Sequence, residues 1–365
     1  MLIDCVIGFA IAFVVAFVST PFVRKLAIKV GAIDVPTDDR RMHKSPIPRM
    51  GGLAIFIGIM AAILYSLISS QIENSGTIFD SRIIGYVIGA AIIVVMGIFD
   101  DIKPIRAIYK LLIQVLAASV AVFFGITIGH IANPFEAESY LHLGLLEIPL
   151  TILWIVGITN AINFIDGLDG LATGITCISS AALLFIFLIT GQSIGAIFIA
   201  AIMVGATMGF LPFNFNPAKI FMGDTGSNFL GFSLAIISIL GLAKTYTIIS
   251  VLVPIIILAV PIFDTGFAII RRIINKQSPM VADKGHIHHR LIEAGLSTRQ
   301  AVFVLYAVCA LLGMLAIVLV ESSLWKVIIL IIAILIFMYA GIRYLGSEEL
   351  KQIDKLPTAN EKDKE

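Results

Sequence analysis

The run IIGYVIGAAIIVVMGIF, residues 83–99, carries no charged side chain and is followed at once by Asp100 and Asp101. An α-helix of about this length can cross roughly 30 Å of hydrocarbon. Because no water reaches the backbone inside lipid, its N–H and C=O groups must pair within the segment, and a helix achieves this. The run therefore predicts a membrane-spanning helix with two carboxyl groups at one end.

Similar apolar runs recur along the chain. Hydrophobic residues make up 59% of the 365 residues and charged residues 13%, whereas soluble proteins carry about 25% charged residues. The mean hydropathy is +1.03, and the short alternating segments of a β-barrel do not recur. The predicted fold class is an all-α polytopic membrane protein with eleven spans, at residues 2–23, 50–69, 83–99, 108–128, 147–164, 170–190, 194–213, 227–243, 247–268, 300–320 and 324–343.

Two parts of this pattern are irregular. The ninth span contains Pro254 and Pro261, which lack the backbone N–H that a helix needs, so we expect a kink or break there. Between the fourth and fifth spans, an alternating stretch from Tyr140 to Ile148, with Pro134 upstream, favours a short external β-hairpin.

The basic residues predict how the chain is oriented. If the loops alternate between two sides, one side holds all of the 25 Lys and Arg residues except Arg82, Lys244 and Lys326. The positive-inside rule then places the N-terminus outside and the C-terminus in the cytoplasm. Residues 1–345 form the predicted transmembrane domain, and the charged tail at residues 346–365 is expected to be disordered.

Most polar groups that adjoin the spans belong to five cytoplasmic segments, and the acid pair Asp100–Asp101 opens the second of them. Carboxylates at the C-terminal end of a helix oppose the helix dipole, which favours a chemical role for the pair. Alternatively, the pair only ends the span in water, with Lys103 and Arg106 as counter-ions. The five segments are residues 34–52, 100–107, 160–174, 213–229 and 282–291.

The third segment, NAINFIDGLDGLATG at residues 160–174, places Asn160, Asn163, Asp166 and Asp169 three residues apart. Residues with this spacing share one face of a helix. Ionisable groups at a membrane-embedded helix end are functional by default, which makes the two aspartates candidate catalytic residues. For the two asparagines, hydrogen bonding between helices is an alternative interpretation.

The fourth segment, FNFNPAKIFMGDTGSNF at residues 213–229, places Asp224 at the start of the eighth span. The free N–H groups of a helix start suit an anion, and Mg²⁺ binds through one or two carboxylates together with substrate phosphates. Asp224 is therefore the candidate metal ligand, and Asn214 upstream is expected to complete the pocket. Alternatively, Asp224 or Thr225 only caps the helix.

The fifth segment gathers His286, His288 and His289 beside Arg290. A zinc site is disfavoured because no thiolate accompanies these histidines and their spacing is not that of a usual helical pair. Imidazoles beside a guanidinium group suit phosphate oxygens or sugar hydroxyls better. Alternatively, the segment is a solvated basic loop at the membrane surface.

The first segment adds His43, Lys44 and Arg49, which we expect to bind substrate. Positive-inside topology and attraction to anionic lipid could explain this charge without a site. Taken together, the five segments offer acids for a divalent cation and basic groups for phosphate beside a membrane. This combination suits the joining of a soluble phosphorylated compound to a lipid phosphate.

In this order, the five segments resemble those of the polyprenyl-phosphate N-acetylhexosamine-1-phosphate transferases, and the resemblance covers about residues 1–345. It is greatest to the bacterial branch that uses undecaprenyl phosphate and N-acetylglucosamine. The resemblance implies a catalytic transmembrane domain in the cytoplasmic (inner) membrane, with its active site facing the cytoplasm. It also implies transfer of N-acetylglucosamine 1-phosphate from UDP-N-acetylglucosamine to undecaprenyl phosphate, with release of UMP, at the start of a cell-wall polymer such as teichoic acid or O-antigen.

The resemblance also implies roles for the matched residues. Asp100 and Asp101 would engage or deprotonate the lipid phosphate, and Asp224 would bind Mg²⁺, for which Mn²⁺ can substitute. Asp166 and Asp169 would act beside the nucleotide and the metal. The resemblance favours a homodimer and no nucleic-acid partner, and it implies substrate binding by Asn163, Asn214, His43, Lys44, Arg49, His286, His288, His289 and Arg290.

Two other functions and two mechanisms stay open. The related branch that transfers phospho-MurNAc-pentapeptide shares the acids but resembles this chain less in the histidine segment and in the first segment. An ion-coupled transporter would place its acids near span centres, whereas here they lie at span ends. The lipid phosphate attacks either the donor directly or an aspartyl-phosphate intermediate that the donor forms first.

Overall fold

A computed structural model describes residues 2–35, 46–73, 80–132, 140–242, 249–275 and 285–320. These residues belong to one compact unit. Within them lie two short antiparallel strand pairs, β1 (Ile33–Asp34) with β2 (Ile47–Pro48) and β3 (His130–Ala132) with β4 (Tyr140–His142). The helices are α1 Leu2–Val30, α2 Gly52–Glu73, α3 Ser81–Ile102, α4 Ala107–Phe123, α5 Glu147–Ile165, α6 Leu171–Ile189, α7 Ile194–Asn214, α8 Gly223–Leu242, α9 Ile249–Ile257, α10 Ala259–Ile274, α11 Ile287–Glu293 and α12 Thr298–Val320.

The helices make this a polytopic membrane protein. Within the described ranges, seven helices are long and apolar enough to cross a membrane. Each of the first ten predicted spans coincides with a described helix or, for the ninth, with two. The eleventh predicted span at residues 324–343 and the charged tail at 346–365 lie outside the described residues, so the count of eleven stays a prediction.

The predicted break in the ninth span lies at Leu258, between α9 and α10. Pro261 is in the first turn of α10, where a helix does not need its N–H group. The carbonyl oxygen of Ile257, which Pro261 cannot satisfy, instead accepts a bond from Ser179 Oγ at 3.5 Å. Ser179 of α6 thus provides the hydrogen bond that this carbonyl oxygen lacks at the break.

The segment predicted as an external hairpin contains the paired strands β3 and β4. Of the alternating stretch predicted as a hairpin, Tyr140 to Ile148, only the first three residues form a strand, β4. A 3-10 turn at Gly144–Leu146 and the start of α5 at Glu147 replace its second half.

Small residues allow the helices to pack closely. A side chain on Gly205 or Gly209 of α7 would collide with the backbone of α1 at Phe9 and Phe13. Close backbone approach through small residues is how helices associate in lipid, where the hydrophobic effect offers little. Large apolar side chains of α1 and α10 are exposed, as expected for surfaces that face lipid.

One end of the helix bundle, which we name the acidic end, carries Asp100, Asp101, Asp166 and Asp224. Two chain segments join there to set the start of α8. Phe221 N donates to Pro48 O at 2.8 Å, and Gly51 N and Gly52 N donate to Phe221 O and Met222 O at 2.9 and 3.0 Å. Any side chain on Gly52 would collide with the backbone of α8 at Gly226. The Gly51–Gly52 pair therefore allows the first predicted segment to lie directly against the fourth.

Candidate active site

Asp101 caps the start of α8 from the neighbouring helix α3. Its carboxylate accepts hydrogen bonds from Asp224 N at 2.8 Å, Thr225 N at 3.1 Å and Thr225 Oγ1 at 2.6 Å. The side chain is 6% exposed, and Gly223, with φ of +72°, leaves it room. The prediction that these N–H groups are free for a substrate anion is wrong, because Asp101 already occupies them.

Asp100 points to a different partner. Its Oδ2 atom forms an ion pair with Lys110 Nζ on α4, and its Oδ1 atom accepts from Ile105 N at 2.6 Å. Lys110 Nζ also lies 3.3 Å from Asp224 Oδ1. One ammonium group therefore bridges two carboxylates that come from α3 and α8. The two predicted catalytic acids of the pair thus have different surroundings, although they are adjacent in sequence.

Asn163 holds the other side of Asp224. Its Nδ2 atom donates to Asp224 Oδ1 at 3.0 Å and to Ser227 Oγ at 2.7 Å. Since Asn163 lies in the last turn of α5 and Asp224 in the first turn of α8, this contact fixes the two helix ends relative to each other. Asn163 therefore lies at the acidic end with its amide donating to protein groups, and its predicted substrate-binding role stays a prediction.

A chain of amides lies one helical turn deeper than Asp224. Asn160 Nδ2 donates to Gln114 Oε1 at 2.7 Å, and Gln114 Nε2 donates to Asn228 Oδ1 at 2.9 Å. Asn228 Nδ2 then donates to the carbonyl oxygen of Asp224 at 2.8 Å. This amide chain links α5, α4 and α8 directly beneath the acids. The alternative that Asn160 bonds between helices is confirmed.

Asp166 follows α5 in the turn before α6 and accepts no hydrogen bond from the described residues through its side chain. Burial, followed by the negative charges of Asp224, Asp101 and Asp169, raises the pKa of Asp166 to about 8, and the nearby Arg49 opposes this rise. At neutral pH the carboxyl group therefore mostly holds a proton. An acid in this state can donate a hydrogen bond to a phosphate oxygen.

Asp169 and Asn214 have bonds that hold the loop before α8. Asp169 Oδ2 accepts from Asn216 Nδ2 and Ala218 N, both at 3.0 Å. Asn214 accepts from Thr173 Oγ1 at 2.7 Å and donates to Ile220 O at 3.1 Å. Their predicted catalytic and substrate-binding roles stay predictions, and the contacts of both side chains are within the protein.

The histidine segment packs against the turn that carries Asp166. His288 is 2% exposed, and any side chain on Gly167 would collide with its ring. Burial, followed by the charges of His289 and His286, lowers the pKa of His288 to about 4. Among the described residues, neither ring nitrogen of His288 has a hydrogen-bond partner. The neutral ring therefore lies against the turn that carries Asp166.

The remaining predicted site residues are placed as follows. His289 is half-buried and Arg290 exposed, both on α11 next to His288. Arg49 donates to Asp34 Oδ1 at 2.6 Å from the segment that contacts the start of α8. His43 and Lys44 lie outside the described residues.

The donor set at Asp224 is compatible with Mg²⁺. In the part of the chain that the structure describes, no three His, Cys, Asp or Glu side chains are arranged to hold a metal by themselves. Mg²⁺ needs only one or two carboxylates when phosphates and water complete its shell. The neighbouring carboxylates of Asp100 and Asp224 supply such a pair, and Lys110 offsets one of their two negative charges. A cation there would also lower the pKa of Asp166 again.

Four polar residues near the acids were missed in the sequence: Lys110, Gln114, Asn228 and Asp264. All four lie inside predicted spans, where ionisable and amide side chains are costly and usually functional. Lys110 and Gln114 are one helical turn apart, which was the clearest available signal. Asp264 bonds to the histidine segment, a contact between residues far apart in sequence that no local pattern reveals.

The sequence of this chain is similar to those of several known proteins. Residues 83–242 match the model of glycosyl transferase family 4. The chain is 44% identical to a probable undecaprenyl-phosphate N-acetylglucosaminyl 1-phosphate transferase of Bacillus subtilis, over 97% of this chain and 96% of the relative. It is 35% identical to a decaprenyl-phosphate N-acetylglucosaminephosphotransferase of Mycolicibacterium smegmatis, over 81% of this chain and 77% of the relative. It is 31% identical to an undecaprenyl-phosphate alpha-N-acetylglucosaminyl 1-phosphate transferase of Escherichia coli O157:H7, over 88% and 85%.

Proposed function

The chain belongs to glycosyl transferase family 4, and on this basis we propose that it transfers N-acetylglucosamine 1-phosphate from UDP-N-acetylglucosamine to undecaprenyl phosphate. The products are undecaprenyl-pyrophosphoryl-N-acetylglucosamine and UMP. The observation that carries the proposal is the cluster of Asp100, Lys110 and Asp224 at the end of a membrane-spanning bundle. A relative that matches 97% of this chain is named as an undecaprenyl-phosphate N-acetylglucosaminyl 1-phosphate transferase, and one that matches 81% is named as a decaprenyl-phosphate N-acetylglucosaminephosphotransferase.

Phosphoryl transfer depends mainly on positioning and charge neutralisation. Mg²⁺ held by Asp224, with Asp100 nearby, would neutralise the diphosphate of the donor and stabilise the departing UMP. Lys110 supplies a second positive charge at the same place. Mn²⁺ is expected to substitute for Mg²⁺, since it shares the preference for oxygen ligands.

The lipid phosphate is proposed to attack the sugar-linked phosphorus directly. A phosphate monoester has its second pKa near about 6 and is mostly a dianion at neutral pH, so no strong base is required. Asp100 then orients the lipid phosphate through Lys110 or takes up the remaining proton. A form of the protein that carries the sugar phosphate covalently and accumulates with donor alone, with release of UMP, would instead indicate an aspartyl-phosphate intermediate.

The orientation proposed is N-terminus outside, eleven spans, and the acidic end facing the cytoplasm from the inner membrane. Its support is the asymmetry of the basic residues, since only Arg82, Lys244 and Lys326 fall on the opposite side.

The product would start a cell-wall polymer, and a homodimer is the proposed assembly. No contact within the described residues favours the transporter alternative, and the relatives cited are named for N-acetylglucosamine phosphate rather than a MurNAc-peptide.

The test is an assay of purified protein with radiolabelled UDP-N-acetylglucosamine, undecaprenyl phosphate and Mg²⁺. We expect a chloroform-soluble labelled product that depends on all three. Asp224→Asn should lose at least about a hundredfold in rate, roughly 2.7 kcal/mol of transition-state stabilisation, and most of its Mg²⁺ dependence. Asp80→Asn, at the opposite end of the bundle, is the matched control and should keep wild-type activity. The absence of a lipid-linked product with wild-type protein would refute the function, and full activity of Asp224→Asn would refute the metal assignment.

A further inference from the structure

Asp264 is a buried carboxylate on a helix whose other face is apolar. It is 3% exposed, six residues after the break at Leu258, whereas its helix neighbours Phe263 and Phe267 are 50% and 60% exposed. Burying a charge is costly unless that charge is paired and hydrogen-bonded. The groups that contact Asp264 therefore offset the cost of burying its carboxylate.

Both oxygens of Asp264 bind the histidine segment. Oδ2 lies 2.8 Å from His286 Nδ1, and Oδ1 accepts from Ile287 N at 2.8 Å. His286 precedes α11 and makes no side-chain capping bond of its own. Asp264 thus connects α10 to the segment in two places and limits both the position and the rotation of the His286 ring.

The contact also selects the tautomer of His286. An ionised carboxylate can only accept, so the hydrogen between the two side chains belongs to Nδ1. The second nitrogen, Nε2, lies on the far edge of the ring, away from α10. It has no partner among the described residues and is not fully buried. Nε2 is therefore the atom of His286 that remains for a ligand.

The ring lies where a ligand of the acidic end would meet it. His286 stacks on His288 with a ring separation of 5.7 Å and lies 6.3 Å from the ring of Phe164. Phe164 is two residues before Asp166, and His288 packs on Gly167. The histidine segment therefore borders the turn that carries Asp166.

We propose that Asp264 is a positioning residue: it fixes the direction and the Nδ1–H tautomer of His286 so that Nε2 contacts the nucleotide sugar. This inference rests on the proposed function for the identity of the ligand. The fixed tautomer itself does not depend on that identity.

Asp264→Asn is the discriminating variant because its size is nearly unchanged. Its amide can still accept from Ile287 N, but its NH₂ group would donate to His286 Nδ1 and move the ring proton to Nε2. We expect KM for UDP-N-acetylglucosamine to rise at least about tenfold, with a smaller change in kcat. His286→Ala should raise KM similarly, and the double variant should be no worse than His286→Ala alone. Multiplying effects in the double variant, or an unchanged KM in Asp264→Asn, would overturn the proposal.

A spectroscopic measurement separates this proposal from the proposed function. In protein with ¹⁵N-labelled histidine, with His286 assigned by its loss in His286→Ala and at a pH where the imidazole is neutral, the wild type should show a protonated Nδ1 and an unprotonated Nε2. Asp264→Asn should exchange the two signals. Correct signals without a lipid-linked product would leave the fixed tautomer of His286 intact and remove the proposed function together with the nucleotide sugar as the ligand. A wild-type His286 protonated on Nε2 alone would overturn the positioning role, even if the enzyme is active.

Discussion

At the residue scale, the acid pair shows what a sequence pattern can and cannot assign. The pattern predicts that Asp100 and Asp101 lie at the end of a span and have a chemical role, and both do lie at the acidic end. The pattern cannot separate the two roles, because adjacent residues on a helix point about 100° apart and their partners come from other helices. Asp100 forms an ion pair with Lys110, whereas Asp101 caps α8, whose first turn carries Asp224.

The cap predicts a specific loss when Thr225 is changed. Thr225→Val keeps the shape but removes the hydroxyl that donates to Asp101 at 2.6 Å. A hydrogen bond contributes about 0.5–1.5 kcal/mol, so kcat should fall by up to about tenfold as the start of α8 shifts. Thr225→Ser retains the hydroxyl and should keep most of the activity. Equal activity of Thr225→Val and wild type in the transfer assay would show that Asp101 does not position Asp224 through this bond.

The neutral, buried His288 predicts a dependence of stability on pH. The pKa of His288 is about 4 in the folded state, whereas it is about 6.5 in an unfolded chain. Between these values the unfolded chain binds a proton that the folded protein does not. Stability is therefore lost as the pH falls from about 6.5 to about 4, by up to about 3 kcal/mol.

Thermal unfolding in detergent measures this effect. His288→Asn should unfold at a temperature that changes less with acidification than that of the wild type. His289→Asn removes one of the charges that lower the pKa of His288, so it should weaken the dependence only in part, because burial is the larger cause. Identical slopes for His288→Asn and wild type would contradict the neutral, buried state of His288.

At the element scale, most helices could be predicted from the sequence because apolar runs report their length directly. The break at Leu258 was also predictable, from Pro254 and Pro261. The short elements β1, β2 and α11 were not, since they depend on contacts between distant segments and have no periodicity of their own. The amide chain Asn160–Gln114–Asn228 was missed for the same reason, as its three residues come from α5, α4 and α8.

The amide chain predicts that activity depends on Gln114, although Gln114 lies below the acids. Gln114→Leu should reduce kcat at least about tenfold, because Asn228 then loses the partner that holds it on Asp224 O. Tyr86→Phe is the matched control, since it removes another buried bond to α8, at Ser233, away from the acids. Bonds between membrane helices contribute about 0.6 kcal/mol on average. Both variants should therefore unfold at similar temperatures. Equal activity in the two variants would rule out a positioning role for the amide chain.

At the scale of the whole molecule, α8 is the element around which the site is built. It starts at the acidic end between Asp101 of α3, Asn163 of α5 and the amide chain from α4, and the Gly51–Gly52 segment lies against its first turn. Four regions that are distant in sequence thus fix the helix start that carries Asp224. The membrane contributes as well, because the proposed lipid substrate can reach the acidic end only from within the bilayer.

The central claim is that a sugar phosphate, and not a sugar alone, is moved to the lipid. UDP-N-acetylglucosamine labelled with ³H in the sugar and ³²P at the sugar-linked phosphorus tests it most directly. Purified protein with undecaprenyl phosphate and Mg²⁺ should yield a lipid fraction that contains ³H and ³²P in the ratio of the donor, with UMP in the aqueous phase. A lipid fraction with ³H but no ³²P, accompanied by UDP, would contradict the account.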